Sequence, residues 1–265
     1  MAEQCPVIAI TNRKGGSGKT TTAVNLAAEL AARGWQILLV DADSQGHCAL
    51  GLGVAPPTGH PGLHQLFRDA QISLASLQVP TLQPGLTLIP ANTRFDGRVT
   101  GIEDDLLARA LCELSGYDLI IVDTPPSVDP VLLNALRAAD SVLIPVVPQV
   151  LGSAGVRQLA QLLYQVATQG RTDLKLLGLL PIMCDRSIPS HARVLSELGL
   201  TFGAQRIFRG IRPDVRLAEA FGAGQPVREL APRSRGAMDY FMLVEELTAL
   251  AEFPHPLSTT LQGDR

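Results

Sequence analysis

Lys14-Gly15-Gly16-Ser17-Gly18-Lys19-Thr20-Thr21 decides the fold, standing between the apolar run Val7 to Ile10 and the helix former Ala23-Val24-Asn25-Leu26-Ala27-Ala28-Glu29-Leu30-Ala31-Ala32. With Gly34 closing the second segment, the pattern reads as strand, glycine-rich loop and helix. The chain has three lysines against nineteen arginines, and two of the three lysines lie in this loop. Gly15, Gly16 and Gly18 let the backbone wrap closely around a phosphate, with N–H groups pointing inward and the positive end of the helix dipole behind them. In that loop Ser17 completes the turn, Lys19 is placed to reach β- and γ-phosphates, the Thr20 hydroxyl to ligate Mg²⁺, and Thr21 to touch an α-phosphate. A nucleoside triphosphate fits this set best, whereas an ordinary turn with a solvated Lys14 would not need both flanking elements.

Composition narrows the class. The chain has 265 residues, 46% of them apolar, enough for one sheet buried between two layers of helices. We expect a single nucleotide-binding domain over residues 1–252 and a frayed tail over 253–265. The longest apolar stretch, Val142 to Val156, is broken by Pro145, Pro148 and Gly152, too short for a membrane span. A first strand beginning at residue 7 leaves no room for a signal peptide, so a cytoplasmic location is expected. Cys5, Cys48, Cys112 and Cys184 show no C-x-x-C spacing, which favours buried free thiols over a zinc site or disulfides.

Apolar runs recur at Val7–Thr11, Ile37–Asp41, Leu86–Ile89, Leu119–Asp123, Val142–Val147, Leu176–Ile182 and Gln205–Phe208. Their continuous rather than alternating apolarity marks strands covered on both faces, so the fold class is α/β, a doubly wound, mostly parallel sheet. Helices are expected near residues 18–33, 103–114, 130–138, 153–168, 190–198, 214–220 and 235–252, with residues 51–85 a loop carrying one short helix around Leu63 to Phe67.

Ligands of such sheets sit at the carboxyl ends of the strands. Two strands end in carboxylates. Leu119-Ile120-Ile121-Val122-Asp123 delivers Asp123 in the arrangement that binds Mg²⁺. Ile37 to Asp41 continues into Ala42-Asp43, and a period of two puts Asp41 and Asp43 on one side of an extended chain. The only lysine outside the loop, Lys175, stands in Asp173-Leu174-Lys175-Leu176 and makes no guanine-reading segment, so ATP is favoured over GTP.

The formal charge of −3 is unevenly spread: between Arg186 and Arg235 nine arginines face only four carboxylates. That is either a local basic face or scattered solvated arginines.

Lys-Gly-Gly-x-Gly-Lys-Thr-Thr, with Arg13 where the usual phosphate-loop pattern has its first glycine, resembles the deviant loop of the ParA/MinD ATPases. The strand-two segment Asp41-Ala42-Asp43-Ser44-Gln45-Gly46-His47, the Asp123-Thr124-Pro125-Pro126 segment and Val215-Arg216-Leu217-Ala218-Glu219-Ala220 resemble the same family, and the likeness runs roughly from residue 5 to 252. Within the family the chain looks like a short ParA-type partition ATPase without an N-terminal DNA-binding extension.

The resemblance implies roles. Lys14 would cross a homodimer interface to the partner's phosphates, Asp43 would position the attacking water, and Asp41 would support Mg²⁺. Adenine would be held near Met183 and near Arg212, Pro213 and Asp214. The ATP-bound homodimer would bind double-stranded DNA without sequence preference through Arg186 and Arg216, and a ParB-type partner would stimulate hydrolysis, giving a nucleoid-associated switch in DNA partition. Departures from the family pattern are Ser44 and His47 in the switch segment, and Phe221-Gly222-Ala223-Gly224-Gln225, which lacks a basic residue. Three alternatives stay open: a ParA-like positioner of a protein cargo, a MinD-like membrane switch and a nitrogenase-reductase-like electron carrier. The membrane switch is disfavoured by the tail Glu252-Phe253-Pro254-His255-Pro256-Leu257, which is no basic amphipathic helix. An electron carrier would need paired cluster cysteines near the switch motifs.

Overall fold

A computed structural model describes residues 5–256 apart from 98, 100 and 169–172. Among these residues the strands are β1 Val7–Ile10, β2 Ile37–Asp41, β3 Val79–Pro80, β4 Leu86–Ile89, β5 Leu119–Asp123, β6 Ser141–Val146 and β7 Lys175–Pro181. They form one seven-stranded sheet in the order β3-β4-β2-β5-β1-β6-β7. Every pairing is parallel except β3 with β4. β1 therefore lies between β5 and β6, where the winding direction of the sheet reverses and a crevice opens at the strand ends.

Residues of the inner strands divide strictly between the two faces. Ile8, Ile10, Ile37, Leu39 and Ile121 pack with Leu26 and Leu30 of α1 (Lys19–Ala31) and with Tyr240, Leu243 and Leu247 of α9 (Arg235–Thr248). Val7, Leu38, Val40, Ile120 and Val122 pack instead with α3 (Leu106–Cys112), α4 (Pro130–Ala138), α5 (Val150–Thr168) and α6 (Pro189–Phe202). Each large aliphatic side chain so covered contributes roughly 1.5–3 kcal/mol. The remaining helices, α2 (His47–Gly51), α7 (Val215–Gly222) and α8 (Val227–Leu230), lie on the α1 side.

Where sequence signals were strong the elements fall as expected: Asp129 caps α4 by accepting the Leu132 N–H at 2.9 Å, with Pro130 in its first turn. Four expectations are corrected. Gln205–Phe208 is no strand: Gly203 enters a 3₁₀ turn at φ 97°, and only Ile207 bridges β7, at Leu179. The region 51–85 holds two 3₁₀ turns, Leu63–Gln65 and Leu74–Leu77, and the short edge strand β3, whose proline and antiparallel sense hide it from a search for buried parallel strands. Phe253, assigned to a frayed tail, is buried with its ring centroid 5.8 Å from that of Trp35; residues 257–265 of that tail lie outside the described residues. Cys112 is exposed rather than buried. No helix among the described residues is long and apolar enough to cross a membrane.

Candidate functional site

The glycine-rich loop joins the end of β1 to α1 at the crevice. Gly16 and Gly18 adopt φ 71° and 80°, which side chains rarely tolerate. A Cβ on Gly18 would also sit 3.1 Å from Ile182, so the segment after β7 is pressed against the loop. None of the backbone N–H groups from Gly15 to Thr21 has a hydrogen-bond acceptor among the described residues. The Ser17 hydroxyl is buried and equally without a partner. A concave row of unpaired donors at a helix N-terminus is an anion cradle.

Its two lysines are treated differently. Lys19 is 6% exposed and makes no salt bridge among the described residues; burial pulls its pKa down, while Asp123 and Asp43 oppose that. A buried ammonium with no carboxylate in contact is costly unless a ligand supplies the anion. Lys14 is instead half-buried, its Nζ donating to Gln149 Oε1 at 3.4 Å in the segment after β6. Asn12, which the sequence reading passed over, shapes this turn: its Oδ1 accepts the Lys14 N–H at 3.0 Å and its Nδ2 donates to the Pro145 carbonyl at 2.6 Å. A buried asparagine directly after an apolar strand was the available signal.

Sheet register brings the carboxylates together. Asp41 and Asp123 are paired residues at the ends of the adjacent parallel strands β2 and β5, and both are wholly buried. Asp123 Oδ2 accepts from the Thr20 hydroxyl at 2.7 Å, while Asp123 Oδ1 is buried with no hydrogen-bond partner among the described residues. Burial raises the pKa of both carboxyls, and the charges of Asp123 and Asp43 raise that of Asp41 further. For Asp123, the Thr20 hydroxyl and the Lys19 ammonium act in the opposite sense. Asp41 spends its oxygens on the loop, accepting the N–H groups of Asp43 at 3.2 Å and Cys48 at 3.0 Å. Asp43 is half-buried and accepts the Gln45 N–H at 3.1 Å, so it holds the turn that leads to Gly46. Thr20 and Asp123 thus meet at one point, with Lys19 near enough to act on Asp123 electrostatically, Asp41 behind them and Asp43 at the rim.

A family model described as an AAA domain matches residues 5–176. The chain is 39% identical over 243 residues to the chromosome-partitioning ATPase Soj of Thermus thermophilus, covering 91% of this chain and 95% of that protein. It is 38% identical over 249 residues to the chromosome partitioning protein ParA of Myxococcus xanthus, covering 91% and 87%. The chain belongs to the Soj/ParA family of P-loop ATPases. A crystal structure of cobyrinic acid a,c-diamide synthase from Mycobacterium smegmatis, with bound ADP and magnesium, superposes with a TM-score of 0.77 at 30% identity, covering 91% of this chain and 93% of that one.

As a Soj/ParA protein the chain would place its remaining candidates on the far rim, after β7. Met183 stands there with φ 52°, beside Ile182 and half-exposed. Arg186, Arg212 and Pro213 line one cleft together with Arg209 and Arg235. Arg216 lines a second cleft with Asp214, Arg233 and Arg235, so Arg235 borders both. Several of these side chains are already engaged. Arg212 pairs with the buried Asp239, its Nη2 2.7 Å from Oδ1. Asp214 accepts the N–H groups of Arg216 at 3.0 Å and Gly236 at 2.8 Å, capping α7 and tying it to α9. Arg216 pairs with Glu219 at 2.5 Å, and Arg186 donates to the carbonyls of Phe208 and Arg209, each at 3.3 Å. Arg209, Arg233 and Arg235, which the sequence reading did not single out, make no salt bridge among the described residues.

Proposed function

We propose that this ATPase is a nucleoid-associated, ATP-dependent dimerisation switch that binds DNA without sequence preference and, with a ParB-type partner, segregates chromosomal or plasmid DNA. ATP and Mg²⁺ are its cofactors, and the residues present fit them: the unpaired N–H groups of the loop, the orphaned Ser17 hydroxyl, the buried Lys19 ammonium without a salt bridge and the partnerless Asp123 Oδ1 all lack what a magnesium nucleotide carries.

In this reading Gly15 to Gly18 and Thr21 bind phosphate oxygens, Lys19 holds the β- and γ-phosphates, and Thr20 with Asp123 holds the metal, supported by Asp41. Mg²⁺ supplies charge neutralisation at the phosphoryl group. Asp43 orients the attacking water, where geometry counts for more than basicity. Met183 and the Arg212–Asp214 segment border the base through backbone and apolar surface, since Arg212 and Asp214 carry other bonds. Arg186 and Arg216 contact DNA phosphates, weakly and in a salt-sensitive way.

The observation that carries the switch is the placement of Lys14. Its ammonium has the exposed Gln149 as its hydrogen-bond partner among the described residues, as suits a group that completes a second subunit's site. Lys14→Ala tests it. Light scattering with ATP should find monomer, and hydrolysis should fall about 10²-fold or more, on the scale of a charge supplied in trans. A variant that dimerised with ATP and bound DNA as the parent does would overturn the switch.

A further inference from the structure

Cys48 stands where the magnesium chemistry has no use for it. It lies in the first turn of α2, and the chain between β2 and α2 doubles back so that its thiol approaches Asp123 Oδ2 at 3.5 Å while its N–H binds Asp41. Donor atoms from Asp41, Cys48 and Asp123 all lie within 4.8 Å of one another, and all three residues are 0% exposed. We propose that Asp41, Cys48 and Asp123 bind a thiophilic divalent cation of the zinc or cadmium class, in a site that shares Asp123 with the magnesium site.

Two independent observations carry this. Asp123 Oδ1 is buried without a hydrogen-bond partner among the described residues, and an unpaired carboxylate oxygen out of water costs about 1–3 kcal/mol or more unless positive charge reaches it. Separately, a tetrahedral ion with metal–sulfur and metal–oxygen bonds of about 2.3 and 2.0 Å holds those two atoms about 3.5 Å apart. The observed Sγ to Oδ2 separation is 3.5 Å. A hard ion such as Mg²⁺ takes oxygen and gains nothing from sulfur, whereas a soft one does, so the thiol confers selectivity rather than general affinity.

As the metal–sulfur bond forms the thiol proton leaves to solvent. Two carboxylates and a thiolate around a divalent ion leave one negative charge, which faces the Lys19 ammonium. The expectation from cysteine spacing missed this arrangement because its other ligands come from two different strands. Bound there, the ion would pin the segment Asp41 to Cys48 onto β5 and compete with magnesium nucleotide; this last clause rests on the proposed function.

The test uses the full-length, nucleotide-free protein titrated with Cd²⁺ alone, following the ultraviolet thiolate-to-cadmium charge-transfer band. Cys48→Ser and Cys48→Ala should each lose the band and bind Cd²⁺ at least about 10-fold more weakly, and Asp123→Asn should weaken it comparably. A triple Cys5→Ser, Cys112→Ser, Cys184→Ser variant should keep the band. A band that survives Cys48→Ala, or vanishes in the triple variant, overturns the site. ATP binding measured on Cys48→Ala should stay as in the parent; its absence in the parent would sink the proposed function while leaving the cadmium result intact.

Discussion

The crevice at β1 and the arginine-rich rim after β7 both concentrate charge, but they settle it in opposite ways. In the crevice, buried Lys19, Ser17 Oγ and Asp123 Oδ1 and a row of loop N–H groups have no salt-bridge or hydrogen-bond partner among the described residues. On the rim Arg212, Arg216, Arg206 and Arg228 are matched to Asp239, Glu219, Glu252 and Glu29. Unsatisfied buried polarity points to a missing ligand, whereas internally paired surface charge is compatible with plain solvation. The rim's case for binding therefore rests more on Arg209, Arg233 and Arg235 than on the two arginines singled out from sequence.

That contrast can be broken in steps. Lys19→Ala should have the largest effect, weakening ATP binding by about 10²-fold or more by titration calorimetry, because it removes the buried ammonium of the cradle. Unchanged affinity would mean that the crevice is not the site. Asp43→Ala should slow single-turnover hydrolysis by about 10²-fold while leaving a long-lived ATP dimer on size exclusion. A fast-dissociating dimer would remove Asp43 from water positioning.

Arg216→Glu should lower DNA affinity about 10-fold near physiological salt and reduce the salt slope by about 1, with ATP dimerisation retained. Normal DNA affinity would leave Arg216 a merely solvated side chain. The smallest effect is on stability. A carboxyl whose folded pKa is raised contributes stability at low pH and loses it as pH climbs past the ordinary carboxylate range, and Asp123 is such a group. Asp123→Asn should stabilise the nucleotide-free protein at pH 8 by about 1–2 kcal/mol, seen as a higher Tm and a flatter pH dependence. A lower Tm at pH 8 would show that the buried carboxylate is already compensated without ligand.

The sheet was legible because parallel strands covered on both faces carry unbroken apolar runs, as in Ile37–Asp41 and Leu119–Asp123, which the structure reproduces residue for residue. Gln205–Phe208 is only half apolar and follows a glycine turn that leaves only Ile207 in position to bridge. In the crevice, residue types and spacing identified Lys19, Thr20 and Asp123, since loop and strand are each local in sequence. Pairing across the chain was not legible. Nothing in the spacing of Arg212 and Asp239, or of Cys48 and Asp123, announces contacts that depend on how α9 and α2 settle against the sheet.

The register that sets Asp41 opposite Asp123 has a physiological corollary. Two carboxyls locked side by side out of water make the empty molecule costly to hold, and a cation-laden nucleotide relaxes it, adding stability that grows with the logarithm of ligand concentration. Copies starved of ATP would open more often and meet proteases sooner. The cell's energy supply would then govern how many copies persist as well as how they cycle.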